Sequence, residues 1–238
     1  MGTLEGRGAG GLYTARGAAP HTVLATGAIP SKMPGMARKI SPRRRSGIVL
    51  PSAEETSLTG QVLIAMPAMG DPRFSQSVIY LCAHTSEGAM GIVVNRPLST
   101  PSFEELLVQL KVDPVPPARV IRLCSGGPVD NARGFVLHTS DWTDSASLRV
   151  DESLALTASL DILKAIATGG GPRKGVLALG YAGWGPGQLD IEMQQNAWLT
   201  APPDMDVIFD QDHETKWRRS LAKLRIDPLL LSSTAGRA

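Results

Sequence analysis

The sequence predicts an α+β fold: a mixed, largely antiparallel sheet with flanking helices. Three observations carry this expectation. Strand-like runs outnumber helical ones. They come in hairpin-like clusters separated by turn chemistry. No regular strand–helix–strand alternation runs along the chain, as a doubly wound fold would require.

The folded body starts near Leu58. Gln61–Met66 reads as a strand stopped by Pro67, and the following Ala68–Phe74 is turn chemistry. Ser77–His84 is a second strand. A Gly-containing turn then leads into a third strand through Asn95, so the pair predicts an antiparallel hairpin. The stretch "SFEELLVQL" predicts a helix with a capping box, Ser102 at the N-cap and Glu105 at N3. Phe103, Leu106, Leu107 and Leu110 form its apolar face, and the prolines at 114–117 end it. "RVIRLC" and "GFVLHT" are strands split by "SGGPVDNARG", with "LRV" and "LALT" as shorter ones. "SLDILKAIA" is a helix closed by glycines. "GVLALGY" is apolar on both faces, a buried strand. A short helix over 187–196 follows, then "DVIFD" as a late strand. The last helix, "HETKWRRSLAKLR", turns Trp217, Leu221 and Leu224 inward, with Lys and Arg crowding its C-terminal end as the helix dipole favours.

Charge is distributed unevenly. Residues 1–50 hold eight of the 24 Lys and Arg but one of the 22 acids, Glu5. The formal net charge of +2 therefore hides a basic tail on an acidic body. Residues 1–55, rich in Gly, Ala, Pro and Arg, lack a sustained apolar period and read as a disordered tail. A targeting peptide, a nonspecific nucleic-acid tether, a solvated tail without a role, and a gene start misassigned upstream of Met33 or Met36 all fit that composition. Residues 56–238 read as a single domain, with enough apolar material for a core: the whole chain of 238 residues is 42% hydrophobic. No apolar run approaches the roughly 18 residues that cross a bilayer. The two cysteines, Cys82 and Cys124, lie in apolar runs and read as reduced and buried. Two soft ligands are not a metal site, although Cys82 and His84 alternate onto one strand face.

The segment from Leu177 to Leu199, "LALGYAGWGPGQLDIEMQQNAWL", concentrates Gly, Trp and acids in a strand–turn–helix context. A phosphate loop has that context, but the details disagree. No Lys follows the glycines, Gln188 stands where a dinucleotide fingerprint needs Gly or Ala, and Asp190 and Glu192 would repel an anion. What remains is a helix with two stripes: Leu189 and Met193 face the core, while Gln188, Glu192 and Asn196 form a polar row bracketed by Trp184 and Trp198. That row is either the rim of an aromatic-lined cleft or a brace for loop backbone. His138 ends its strand and reads as a general base or, more simply, a hydrogen-bonded structural histidine. Free N–H groups after Cys124, in "SGGP", could make an oxyanion-like nest, with a Cys–His pair to His138 or His84. Asp71 and Arg73 read as a turn with an ion pair to the sheet.

Three ordered blocks carry a family resemblance. "LTGQVLIAMPAMGDPRFSQSVIYLCAHTSEGAMGIVVNRP" at 58–97, "SGGPVDNARGFVLH" at 125–138 and the 177–199 segment resemble the signature blocks of the bacterial AlgH/YqgE family. The resemblance covers about 58–235 and excludes the basic tail. It implies a bifurcated sheet folded into a pseudo-barrel, in a cytosolic protein. One member's name ties the family to regulation of alginate synthesis, and many members are labelled transcriptional regulators. It transfers no activity and no catalytic residue set. The positions that match include Asn95, Gly126, Gly127, Pro128, His138, Gly180, Gly183, Trp184, Gln188, Glu192 and Trp198.

The leading expectation is a non-catalytic cytoplasmic regulatory or interaction protein, without metal or cofactor, whose partner is a protein or small molecule. The alternative is a small-molecule-binding protein or unrecognised enzyme. Its site would gather Asn95, His138, Trp184, Gln188 and Glu192 around the Gly-Gly-Pro turn and the 180–198 segment. Sequence-specific DNA reading by the body is not expected: it is acidic and shows no helix-turn-helix pair, so only the tail offers the density of cations that phosphates need. No membrane association is expected.

Overall fold

The computed structural model describes Ser57–Asp227, so the basic tail at residues 1–55 lies outside the described residues. Among the described residues, nine strands form one sheet, flanked by five α-helices. The strands are β1 (Val62–Ala65), β2 (Val78–Thr85), β3 (Gly88–Val93), β4 (Arg122–Ser125), β5 (Val129–Thr139), β6 (Ser147–Arg149), β7 (Leu154–Thr157), β8 (Gly175–Trp184) and β9 (Trp198–Ala201). The helices are α1 (Phe103–Leu110), α2 (Leu160–Ala167), α3 (Gln188–Gln194), α4 (Met205–Phe209) and α5 (Lys216–Lys223).

The sheet order is β6-β7-β5-β8-β3-β2-β1-β9. Strand β8 makes it bifurcate. One edge of β8 pairs with β5. The other edge is shared: its first half runs parallel to β4, through Val176–Leu179, and its second half runs antiparallel to β3, through Ala182–Trp184. Every other pairing is antiparallel. The result is the α+β class the sequence predicts, a largely antiparallel sheet curled into a half-barrel.

Side chains alternate across the strands into different cores. Val62 and Ile64 of β1 and Val78 and Tyr80 of β2 point to an interior cluster closed by α4 and by Trp217 and Leu221 of α5. Leu63, Ile79 and Leu81 point the other way, to a cluster with Trp184, Leu189 of α3 and Trp198. A third cluster packs α1 and α2 against Leu123, Val136 and Leu177. The capping box of α1 is formed: Ser102 Oγ accepts from Glu105 N (3.1 Å), and Glu105 Oε2 accepts from Ser102 N (2.8 Å).

Four local expectations change. "DVIFD" is helical as α4, because Asp204 Oδ1 accepts the N–H groups of Asp206 (2.8 Å) and Val207 (3.1 Å) and fixes a first turn. Val207 and Ile208, adjacent in sequence, are both buried, which an alternating strand would not give. Strand β9 was not expected; it exists because Trp198–Ala201 finds β1, a pairing across the whole domain. Helix α3 ends at Gln194, and Asn196 is left-handed (φ 56°) beyond it, so Asn196 leaves the polar row. A register shift in β2 between Leu81 and Ala83 separates Cys82 from His84: Cys82 joins the interior cluster, and His84 reaches Asp190 of α3.

Candidate functional site

The end of β8, helix α3 and the start of β9 converge on one carboxylate. Glu192 Oε2 accepts the indole N–H groups of Trp184 (2.9 Å) and Trp198 (2.8 Å). Its Oε1 accepts the side-chain amide of Gln188 (2.9 Å), one helical turn earlier. The Gln188 carbonyl in turn accepts the Gly185 N–H (3.0 Å), tying the helix start to the turn. Gly187 enters that helix at φ 67°, a left-handed conformation glycine adopts without strain. Leu189 of α3 is buried against the sheet, which fixes the face that Glu192 and Gln188 present.

A third aromatic completes the cluster. A single 3-10 turn at Pro72–Phe74 is capped by Asp71, whose carboxylate accepts the Arg73 N–H (2.9 Å). It sets Phe74 in a stacked arrangement with Trp184 (6.4 Å) and edge-on to Trp198 (5.7 Å); the two tryptophans meet edge-on at 5.9 Å. Asp71 and Arg73 pair with each other (Nη2–Oδ2 2.7 Å) and not with the sheet, correcting that expectation. These residues, with Met69, Pro128 and Val129, line a cleft of about 310 Å³.

The Gly-Gly-Pro turn supplies one wall by close backbone packing. The Gly126 N–H donates to Leu179 O (2.8 Å), and Gly126 O accepts from Val93 N (2.9 Å), stitching β4 to β8 and β3. Gly180 bulges out of β8 at φ 73°, and a side chain there would meet Gly127 O at 2.6 Å. The turn is thus a packed junction, and the Gly126 N–H is committed rather than free for an oxyanion.

Of the five predicted site residues, Trp184, Gln188 and Glu192 come together. Asn95 does not join the clamp: its Oδ1 accepts from Val78 N (2.9 Å) and its Nδ2 donates to Gln76 O (2.8 Å), bracing the loop before β2. His138 pairs with Gly175 at the far end of β8, nine residues and roughly 30 Å of strand contour from Trp184. It is fully buried, edge-on to Trp142. Its Nδ1 donates to Thr139 O (2.9 Å), so Nε2 accepts the Thr157 hydroxyl (2.8 Å). Burial lowers its pKa below the ordinary histidine value. Replacing His138 with Gln should therefore cost about 1 kcal/mol of stability through one lost hydrogen bond, while leaving the cleft intact. Chemical denaturation of both proteins checks this.

A family model described as AlgH-like matches residues 62–229. The chain belongs to the AlgH-like family. A UPF0301 protein of Rhodospirillum rubrum is 54% identical over 184 residues, covering 77% of this chain and 96% of its own. Another, from Gluconobacter oxydans, is 52% identical over 186 residues, covering 77% of this chain and all of its own. The solution structure of AlgH from Pseudomonas aeruginosa is 46% identical with a TM-score of 0.63, covering 79% of this chain and 100% of that one. Three blocks quoted from the sequence thus lie in an AlgH-like domain whose fold matches.

Both cysteines, Cys82 and Cys124, are free thiols buried in the core. Cys124 is buried, its thiol donating to Val93 O (3.3 Å), and burial pushes it up to about 12. Burial also raises the Cys82 thiol. No Cys–His pair forms with His138, whose two ring nitrogens are spoken for. Among the described residues, no group of three or more His, Cys, Asp or Glu could hold a metal ion, and no helix is long and apolar enough to cross a membrane. Sequence reasoning missed Phe74 as a cleft residue. The available signal was an aromatic placed inside turn chemistry, where no core position requires one.

Proposed function

We propose that this AlgH-like chain is a non-catalytic binding protein of the cytoplasm, acting as a regulatory or interaction protein through the Phe74–Trp184–Trp198 cleft. One observation carries the reading: Glu192, the acid in the cleft, is tied to three N–H donors that lock α3 to β8 and β9. A carboxylate so bound braces the wall of a cleft; it is poorly placed to abstract or deliver protons. The cleft opens beside half-buried Phe74, with Trp184 and Trp198 buried behind it, the character of a recognition site. Regulation would run through the bound partner rather than DNA bases. Helix α5, the most basic described helix, buries Trp217 and Leu221 in the core, and the helix before it, α4, is a single five-residue turn whose Val207 and Ile208 are also buried there.

A thermal-shift screen of the full-length protein against metabolites, metals and peptides tests this. A cleft ligand at about 100 times its dissociation constant stabilises by about 2.7 kcal/mol, roughly 5–10 °C for a domain of this size. The shift should vanish in Phe74→Ala. Turnover of a bound compound that is lost in Glu192→Gln would replace the binding reading with an enzymatic one. Ligands whose shifts survive Phe74→Ala would move the contact site elsewhere.

A further inference from the structure

We infer that the cleft selects a cation, and specifically an arginine side chain carried on a partner polypeptide. This rests on the cleft being the contact site proposed above. The charge balance comes first. Arg73 is spent on Asp71, through Nε–Oδ1 (3.0 Å) and Nη2–Oδ2 (2.7 Å). Glu192 has only neutral donors, two indoles and an amide, and no Lys or Arg among the described residues forms an ion pair with it. One negative charge therefore stands uncompensated in an aromatic-walled cleft.

The acceptor count points the same way. A carboxylate offers about four lone-pair positions. Oε2 receives both indoles and Oε1 receives Gln188, so Oε1 retains one acceptor position. An anion would meet the Glu192 charge. A neutral apolar group would fill the space and strip water from that charge without supplying a donor, which costs free energy. A cation supplies the N–H and is drawn to an aromatic ring face within about 6 Å, and half-buried Phe74 is the cleft aromatic within a partner's reach. Guanidinium is planar, stacks on such faces and is less strongly hydrated than ammonium, which favours arginine over lysine.

The surroundings indicate a polypeptide as the carrier. About 310 Å³ is at the lower end for a small-molecule pocket and holds one side chain comfortably. Val129 on the cleft wall is 37% exposed, and Ile191, beside Glu192 on α3, is 55% exposed. Val129 gives a partner backbone an apolar surface to cover on the cleft wall opposite the half-buried Glu192, and Ile191 extends apolar surface outside the cleft on α3.

The experiment is a titration of the full-length protein with acetyl-Gly-Arg-Gly-amide, reading the Trp184 and Trp198 indole N–H signals by NMR. The comparators are the same peptide with citrulline, which is neutral and nearly isosteric, and agmatine, a guanidinium without a peptide. The arginine peptide should bind at least tenfold more tightly than the citrulline peptide, and more tightly than agmatine. Its binding should weaken with salt and in Glu192→Gln. Phe74→Leu, which leaves the Glu192 clamp in place, should also weaken it. Equal binding of arginine and citrulline peptides, or wild-type affinity in Phe74→Leu, overturns the inference, and agmatine binding as tightly as the peptide overturns the polypeptide source. If a neutral or anionic compound moves the two indole signals while arginine does not, the cation inference fails and the contact site stands. If no probe moves them, both fail.

Discussion

Gly127→Ala should cost more than about 4 kcal/mol, an exceptional loss for one substitution and most of the stability of a marginal domain. The cause is space. A Cβ at Gly127 would lie 2.1 Å from the Tyr181 carbonyl carbon and 2.3 Å from Ala182 N, both backbone atoms of β8. Backbone cannot rotate away as a side-chain tip can, so the turn must lift off β8. That movement breaks the Gly126 N–Leu179 O and Val93 N–Gly126 O bonds, which join β4, β8 and β3 where the sheet divides. The Pro128 and Val129 wall of the cleft moves with it. Gly187→Ala is the matched control. Its φ of 67° is left-handed, yet nothing lies within 4 Å of the added Cβ. The expected loss is about 1–2 kcal/mol from backbone strain alone. Equilibrium denaturation of the two variants decides the matter. Similar losses would mean the junction yields, and the close packing would not be what holds the sheet together.

That junction shows where the sequence was readable and where it was not. The capping box of α1 needs only residues three apart, and it forms as the sequence predicts. The β2–β3 hairpin and the strands β6 and β7 were local as well. Strand β9 was invisible because its partner β1 lies more than a hundred residues away, and four residues carry no period of their own. Helix α4 was misread for the same reason of length: five apolar-rich residues fit either element until Asp204 caps them. In the site, the spacing of Trp184, Gln188 and Glu192 marked a polar row with aromatic ends. It could not show that one carboxylate oxygen takes both indoles, because Trp198 reaches it only through the β9–β1 pairing. Nor could spacing reveal that His138 and Trp184 occupy opposite ends of one strand. Their blocks are adjacent in the sheet but offset along β8.

Lys216→Met should abolish a specific alkaline gain in stability. Lys216 is 1% exposed at the start of α5, with Nζ donating to Val94 O (3.0 Å) and Ile208 O (2.9 Å). Burial, opposed by the nearby Asp210 charge and reinforced by Arg122 and Arg219, lowers its pKa from 10.5 to about 8. Below pH 8 the lysine is charged both folded and unfolded, and the fold bears the cost of a desolvated ammonium. Between about pH 8 and 10.5 the unfolded chain binds a proton there that the native protein has released. Stability therefore rises with pH across that window, by about 3 kcal/mol if the whole shift is expressed. Other lysines and tyrosines titrate in the same range, so the quantity to measure is the difference between wild type and Lys216→Met at each pH. Methionine fills similar volume without a charge, and leaves the two carbonyls without that donor at every pH. The wild type should gain on the variant steadily above pH 8. Parallel stability profiles from pH 7 to 10.5 would show that Lys216 keeps its ordinary pKa, with water or Asp210 carrying its charge more fully than two carbonyl oxygens can.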